Sequence, residues 1–388
     1  MNEPLLDAQD FARLLHGGAC FHLARRHGIP PDVMIAHGHE ELRWRDFPFG
    51  GDCRAFEREV LAFFGLSGGD AFLPDEALID TGARLQARWR HESGAVVFHT
   101  SGSTGTPVPW RHSTAMLRQE AEAVRPLCAG AARVVCTTPP FHSYGFVFGF
   151  LLPRLSGMEA VLLPSLPTFL AGELRPGDLL VSFPLLLGKI LEPPPSSARC
   201  LCSTAPCPPG LFPRLESLGF AGMTEIYGSS ETGAVATRTA EDEPFTLLPH
   251  WRKGGETVIL RSSPEGESGS ASPLPDHVAW HGIDRLDLAG RIDQAVQIAG
   301  VNVYPEKIAA RLRTHPLVRE CAVRPMRPDE GSRLKAFIVA EGGLEPSMVR
   351  RSLKAYIREA LGTAERPARL SFGSSLPRTD AGKLCDWE

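Results

Sequence analysis

Several things are scarce in this chain, and each scarcity excludes something. No stretch reaches the roughly 18 uninterrupted apolar residues that a bilayer-spanning helix requires. The run from Phe146 to Pro153 is apolar but far too short, so no membrane span is expected. Basic residues are not in excess: 41 Lys plus Arg stand against 45 Asp plus Glu, a formal net charge of −4. That balance disfavours a nucleic-acid partner, whose phosphate backbone asks for a cationic surface. The opening residues Met1-Asn2-Glu3-Pro4 lack the basic and apolar regions of a secretory leader, so a cytoplasmic location is expected. The nine Cys are scattered, and an odd count without a framework suits a reducing compartment. Cys200, Cys202 and Cys207 cluster, but their spacing is not the paired spacing of a zinc site. They read as small apolar core residues. There is no internal repeat and no low-complexity tract.

What is present suits a globular protein. The length of 388 residues allows two or three domains, and 43% hydrophobic with 22% charged residues provides ample core with an ordinary surface. Helical patterns run over Phe11 to His16 and Cys53 to Phe64, in a first segment without a chemical motif. From Ala95 to about Gly228, strand-like runs (Val134-Val135-Cys136, Ala160-Val161-Leu162-Leu163, Leu179-Leu180-Val181, Cys200-Leu201-Cys202) alternate with helix-like ones (Ser113 to Val124, Leu185 to Leu191). Alternation of this kind predicts a layered α/β domain. Pro193 to Ser197 reads as a loop, as does Ser262 to Pro275, the latter with β-rich pieces on either side. After Asp293, short strands (Val296 to Ile298, Cys321 to Val323, Ala336 to Val339) alternate with helices (Pro305 to Arg313, Ser347 to Leu361). A division into domains 1–292 and 293–388 is expected.

Chemistry concentrates in four segments. The apolar run Ala95-Val96-Val97-Phe98-His99 leads into Thr100-Ser101-Gly102-Ser103-Thr104-Gly105-Thr106-Pro107. A strand ending in such a loop suits phosphate, because small residues let backbone N–H groups approach its oxygens and hydroxyls add donors. No Lys-Ser/Thr pair follows, so it is not a Walker loop. Downstream come Glu225-Ile226-Tyr227-Gly228-Ser229-Ser230-Glu231-Thr232-Gly233, then Gly290-Arg291-Ile292-Asp293-Gln294 continuing to Ile308, then Leu376-Pro377-Arg378-Thr379-Asp380-Ala381-Gly382-Lys383.

This ordered set resembles the adenylate-forming superfamily of acyl- and aryl-CoA synthetases, carrier-protein ligases, adenylation domains and luciferases. The resemblance covers roughly residues 95 to 388. It implies a large layered α/β domain with a reduced N-terminal part and a small mobile α+β C-terminal lid. It also implies a reaction in which ATP activates a carboxylic acid to acyl-AMP with release of pyrophosphate. The acyl group then passes to the thiol of CoA or of an acyl carrier protein.

By the same resemblance, Thr100, Ser101, Gly102, Ser103, Thr104 and Gly105 hold phosphates. Ser203, Thr204 and Ala205 line the adenine edge, Tyr227 and Gly228 face adenine, and Ser230 contacts the α-phosphate where relatives have Thr. Glu231 is the ligand for Mg²⁺, Asp276 and Arg291 reach the ribose, and Asp293 is the hinge. Lys383 is the catalytic lysine, carried to the nucleotide by the lid, where its ammonium stabilises charge developing on the α-phosphate and the attacking carboxylate. The segment from Pro139 to Phe146 matches the one beside the acyl pocket, with His142 near the substrate carboxylate and Phe141, Ser143 and Tyr144 on the pocket wall. Ser143 stands where amino-acid-activating relatives place an acid, so an amino acid is disfavoured. Phe141, Tyr144, Phe146 and Phe148 suggest an apolar, aromatic pocket, and a hydroxybenzoate, of the kind used in aryl-polyene pigment routes, is the expected substrate, with phenylacetate- and coumarate-like acids left open.

Three departures stand out. Val108-Pro109-Trp110-Arg111 replaces the usual continuation after Pro107, which removes the lysine that contacts the outer phosphates; Arg111 is not an equivalent. Gln297 replaces a frequent Lys. The chain is shorter than most relatives ahead of Thr100, which leaves one pocket wall open or completed by a second subunit in a homodimer. These departures motivate a second reading, a module that binds nucleotide or acyl-adenylate without turnover. A third is an unrelated NTPase releasing phosphate. Acid-dependent release of pyrophosphate separates the three, and Lys383→Ala is expected to lower that release by about a hundredfold or more. Wild-type rates in the variant would remove Lys383 from the chemistry.

Overall fold

The computed structural model describes residues 5–27, 42–49, 53–68, 72–100, 108–164, 172–263, 269–293, 295–298, 301–327, 329–342, 346–378 and 385–387. The chain divides into two compact units, with the boundary between Ala289 and Gly290.

The first unit begins with helices Ala8–His27, Cys53–Phe63 and Leu78–Glu92. Their shared core is aromatic: Phe11 stacks on Phe64 at 4.3 Å, Trp44 on Phe72 at 3.8 Å, and Phe63 meets Phe141 at 4.8 Å. The indole N–H groups are satisfied, Trp44 donating to Thr81 Oγ1 and Trp89 to the Ala95 carbonyl. Strands β1 (Ala95–Thr100) and β2 (Val108–Ser113) pair antiparallel, Thr100 opposite Val108. Helix Thr114–Val124 follows directly, and the Ser113 hydroxyl caps it by accepting the Met116 N–H at 3.2 Å.

The large sheet then takes β3 (Arg133–Cys136), β4 (Glu159–Leu162), β5 (Leu179–Ser182), β6 (Arg199–Cys202), β7 (Met223–Ser229), β8 (Gly233–Arg238) and β9 (Phe245–Leu247). Strands β10 (Trp251–Lys253), β11 (Val258–Arg261) and β12 (Ala271–Pro273) form a separate three-stranded sheet. The chain then returns to the large one with β13 (Asp276–His281) and β14 (Arg285–Arg291). The nine-stranded order is β13-β14-β9-β8-β7-β6-β5-β3-β4. From β4 to β7 neighbouring strands are parallel; from β7 to β9 they are antiparallel. β3 and β5 are buried along their whole length, which is why they read as continuous apolar runs. The alternation predicted from Ala95 onward is therefore found. Leu185 to Leu191 shortens to a single turn, Pro184–Leu187.

At the start of β3, Arg133 forks onto Asp178, with Nε to Oδ1 at 3.0 Å and Nη2 to Oδ2 at 3.0 Å. Both side chains are almost wholly buried. The same carboxylate accepts the Arg175 N–H at 2.7 Å, so it ties the loop entering β5 to the neighbouring strand.

The second unit is small. A hairpin of β15 (Val296–Ile298) and β16 (Val301–Val303) leads to helix Pro305–Arg313. β17 (Val318–Pro325) pairs antiparallel with β18 (Leu334–Ala340), and β19 (Arg369–Gly373) adds in parallel after helix Pro346–Ala360. Ile308, Leu312, Ile338, Leu353 and Leu370 form its core. Lys335 is fully buried within it, its ammonium held by Glu330 and by the Trp387 carbonyl. Arg324 adds bonds to Glu330 at 2.8 Å and to the Trp387 carbonyl at 3.0 Å. The fold is thus α/β with a large layered unit and a small second one, as the sequence implied.

The Arg133–Asp178 pair yields a stability prediction. Among the described residues, Asp178→Ala leaves the buried Arg133 guanidinium with only the Glu173 carbonyl and the Glu159 carboxylate at 3.9 Å, and is expected to destabilise by about 3 kcal/mol. Urea unfolding checks it, and a loss below about 1 kcal/mol would place the pair among exposed ion pairs in effect.

Candidate functional site

Parallel strands β4, β3, β5, β6 and β7 finish on one edge of the large sheet. In open α/β sheets ligands collect outside that edge. Three segments leave it here: Pro139 to Phe146 after β3, Ser203 to Pro206 after β6, and the turn between β7 and β8.

The turn is built with care for its backbone. Pairing of β7 with β8 shifts register between Tyr227 and Gly228, a bulge of the kind that re-aims side chains. A side chain at Gly228 would lie 2.3 Å from the Gly233 carbonyl oxygen, so only glycine fits. Gly233 has φ 72°, a conformation glycine adopts without strain. Within the turn the hydroxyls of Ser229 and Thr232 lie 3.0 Å apart, and the Ser229 N–H donates to Thr232 Oγ1 at 3.3 Å. Ser230 and Glu231 are left at the tip, both partly exposed. Among the described residues no hydrogen bond or ion pair engages the Glu231 carboxylate.

Tyr227, buried at the end of β7, donates its hydroxyl to Asp276 Oδ2 at 2.9 Å. The structure therefore joins two residues 49 positions apart in sequence that the resemblance had assigned to adenine and ribose. On the next strand, the Ser203 hydroxyl donates to the Ile226 carbonyl at 2.8 Å. Thr204 sits at φ 77°, a strained conformation for a β-branched residue. Glu225 fastens this loop: its Oε1 accepts the Cys207 N–H at 3.0 Å while Oε2 pairs with Arg238 at 2.7 Å.

His142 caps the short helix Ser143–Phe146, its Nδ1 accepting the Tyr144 N–H at 3.3 Å. That bond assigns the proton to Nε2. Burial pushes its pKa down to about 4, so the ring is neutral at pH 7 and offers a donor. Ser143 opens the helix, partly exposed. Tyr144 is buried with its ring 5.1 Å from Phe148, and among the described residues its hydroxyl has no hydrogen-bond partner. Burial, and then the thiols of Cys202, Cys136, Cys200 and Cys207, raise its pKa well above the ordinary phenol value. Phe141 points toward the N-terminal helices, against Phe63 and Phe56. Cys207 donates its thiol to Cys202 Sγ at 3.5 Å, and all nine thiols are free.

In the second unit, Arg291 forks onto Asp293 at 3.0 and 2.8 Å. The Tyr304 hydroxyl (3.0 Å) and the Ala295 N–H (3.1 Å) complete the carboxylate's shell. The guanidinium first, then the two further donors, hold the Asp293 pKa down at about 2 against partial burial. Arg111 turns back to the Ser93 carbonyl at 3.2 Å. Thr100 ends β1, while Ser101, Gly102, Ser103, Thr104, Gly105 and Lys383 lie outside the described residues.

The sequence reading assigned nothing to His112, Glu120, Arg261 or Glu225, all of them buried. One signal was legible. Leu117, Glu120, Ala121 and Val124 occupy the buried stripe of helix Thr114–Val124, so Glu120 is a charge inside an apolar i, i+3, i+4, i+7 pattern. The other three gave no local sign.

Residues 58–257 match the AMP-binding enzyme family and residues 307–383 match the AMP-binding enzyme C-terminal domain. The chain belongs to the AMP-binding enzyme family. Its relatives include a 4-coumarate–CoA ligase of Halorhodospira halophila, 38% identical over 301 residues and covering 76% of each chain. A 4-coumarate–CoA ligase of Rhodobacter capsulatus is 37% identical over 313 residues, covering 77% of each chain. The amide bond synthetase McbA of Marinactinospora thermotolerans has a similar fold, with a TM-score of 0.63 at 19% identity over 96% of this chain and 93% of that one. Among the described residues no helix is long and apolar enough to cross a membrane, and no group of three or more His, Cys, Asp or Glu side chains is arranged to hold a metal ion.

A titration tests the electrostatics of this AMP-binding enzyme's edge. Because burial lowers the pKa of His142, its ring is expected to gain a proton only as pH falls through about 4. An imidazole NMR signal, assigned by its loss in His142→Gln, reads the midpoint. A midpoint near 6.5 would mean that the ring is solvated.

Proposed function

We propose that this AMP-binding enzyme is an AMP-forming acid–CoA ligase acting on a hydroxylated aryl acid. The observation carrying the reading is the likeness to two 4-coumarate–CoA ligases over about three quarters of the chain. The buried hydroxyl of Tyr144, without a partner among the described residues, supports the finer part. A buried donor without a partner is unfavourable unless a ligand supplies one, and a ring hydroxyl on the substrate would supply it. Phe148 and the thiols of Cys136 and Cys202 around it suit an aromatic ring.

The chemistry proposed follows from the side chains. A carboxylate oxygen of the acid attacks the α-phosphorus of ATP, the bond to the β-phosphate oxygen breaks, and pyrophosphate leaves. A thiol sulfur then attacks the acyl carbon and AMP leaves. The neutral His142 Nε2–H would orient the incoming carboxylate without adding charge. Asp276, oriented by the Tyr227 hydroxyl, would accept from the ribose hydroxyls. Glu231 is a suitable ligand for the Mg²⁺ that accompanies ATP, being a hard oxygen donor with no competing partner among the described residues. Lys383 would stabilise the negative charge shared by carboxylate and phosphate in the transition state.

Val108 at the position of the family's phosphate-loop lysine favours the second reading, nucleotide binding without turnover. One screen decides. Pyrophosphate release is measured with hydroxybenzoates, hydroxycinnamates, their unhydroxylated counterparts and fatty acids, with CoA and with carrier protein as acceptors. The expectation is acid-dependent release, with kcat/KM for the 4-hydroxy acids about tenfold above the unhydroxylated ones, as one buried hydrogen bond allows, and with CoA consumed. Release driven best by fatty acids would refute the aryl assignment, transfer only to carrier protein would refute the acceptor, and no release with any acid would leave the binding module standing.

A further inference from the structure

Behind the Ser229–Gly233 turn lies a cluster of buried ionisable side chains that none of the assigned roles uses. Helix Thr114–Val124 contributes Glu120, β2 contributes His112, and β11 contributes Arg261. The loop between β9 and β10 adds His250, and β10 adds Trp251. Burial pushes the Glu120 carboxyl up to about 7 and the two imidazoles down, His112 to about 4 and His250 to about 3. Burying this many polar groups is unfavourable on its own, so their bonds show what the cluster does.

Those bonds converge on main chain. His112 Nε2 donates to the Ser230 carbonyl at 2.8 Å. Arg261 Nη1 reaches the Thr232 carbonyl at 3.4 Å while Nη2 donates to the Met116 carbonyl at 2.7 Å. Glu120 Oε1 accepts the Ala234 N–H at 2.7 Å, and the Trp251 indole donates to the Ala234 carbonyl at 2.8 Å. Among the described residues the second Glu120 oxygen has no partner, and it lies 2.3 Å from where a Gly233 side chain would begin. Gln119 locks Arg261 through its Oε1 at 2.9 Å. Side chains from four separate elements thus hold the backbone immediately before and after Glu231, and none touches Glu231 itself.

We propose that Glu120, His112 and Arg261 are positioning residues that hold the Ser230–Ala234 backbone and thereby aim the Glu231 carboxylate at the magnesium nucleotide. This rests on the reading of Glu231 as the residue facing that ion. A hairpin tip with two free polar residues would otherwise sample several conformers, and a metal ligand must be held within a narrow geometry to act. Glu120 serves better than a neutral apolar residue because the Ala234 N–H, turned inward past the bulge, needs an acceptor.

The test compares Glu120→Leu, Glu120→Gln and His112→Phe with the wild type. Deuterium exchange of a peptide spanning residues 229–236 reads the turn. Calorimetric titration with Mg²⁺ and α,β-methylene-ATP reads nucleotide affinity, and KM for the acid reads the pocket. Glu120→Leu is expected to speed exchange in that peptide and weaken nucleotide affinity, each about tenfold, as loss of a buried acceptor implies, with KM for the acid unchanged within about twofold. Glu120→Gln keeps an acceptor for Ala234 and is expected to restore both to within about threefold. If Glu120→Leu does not fold, His112→Phe gives the same pattern from the Ser230 side. A folded Glu120→Leu with wild-type exchange and affinity overturns the proposal, as does a variant in which acid KM rises in step with the loss of nucleotide affinity. A wild type that binds the magnesium nucleotide but releases no pyrophosphate refutes the ligase reading while exchange and affinity still judge the positioning role. A wild type that binds no magnesium nucleotide refutes both.

Discussion

The switch from parallel to antiparallel pairing at β7 is the constraint on which the rest of the site depends. Up to β7, each strand is reached by a crossover and ends on the same edge. At β7 the chain reverses through a tight turn, and the register slips by a bulge at Tyr227 and Gly228. A strand that ends in the middle of a sheet must turn sharply and still satisfy its peptide groups. The solution here is unusual in its materials. Buried charged and imidazole side chains, rather than more backbone, complete the hydrogen bonding around the turn. A polar tip can then stand clear of the sheet while its base is fixed.

The same logic explains why Tyr227 and Asp276 meet. β13 lies at the far end of the strand order from β3, yet its first residue reaches the tip of β7. The antiparallel strands β8, β9 and β14 lead from β7 out to β13 in the strand order, and the Tyr227–Asp276 bond ties the start of β13 back to the end of β7. The residues proposed to face the ligand therefore come from loops far apart in sequence but attached to one sheet, the arrangement that lets function reside in loops without sacrificing geometry. The N-terminal helices contribute differently. Their aromatic core engages Phe141, so the segment bearing His142 and Tyr144 is braced from outside the sheet.

In the second unit a comparable economy appears on a smaller scale. Lys335 and Arg324 gather Glu330 and the Trp387 carbonyl into one buried network, and Cys385 donates its N–H to the Pro377 carbonyl at 2.9 Å. A unit of this size has a limited apolar core, and a buried polar network adds directional bonds that apolar contacts lack.

Periodicity and local chemistry alone determined a good deal. The runs at Val134–Cys136, Leu179–Val181 and Cys200–Cys202 declare parallel strands because a strand covered on both faces has no polar alternation to show. The Tyr227–Glu231 and Arg291–Asp293 motifs stand out because their residue types are specific and close together. Other features were invisible for a physical reason. Glu225, His112 and Arg261 act through contacts spanning 13 to 145 residues, and no local pattern encodes a partner that distant. Only the tertiary structure decided that Arg111 turns to Ser93, that the buried Tyr144 hydroxyl has no partner among the described residues, and that Glu120 interrupts an apolar stripe in order to meet an amide from another strand. Sequence distributes the groups along the chain; strand order and burial determine which of them share a dielectric and a hydrogen bond.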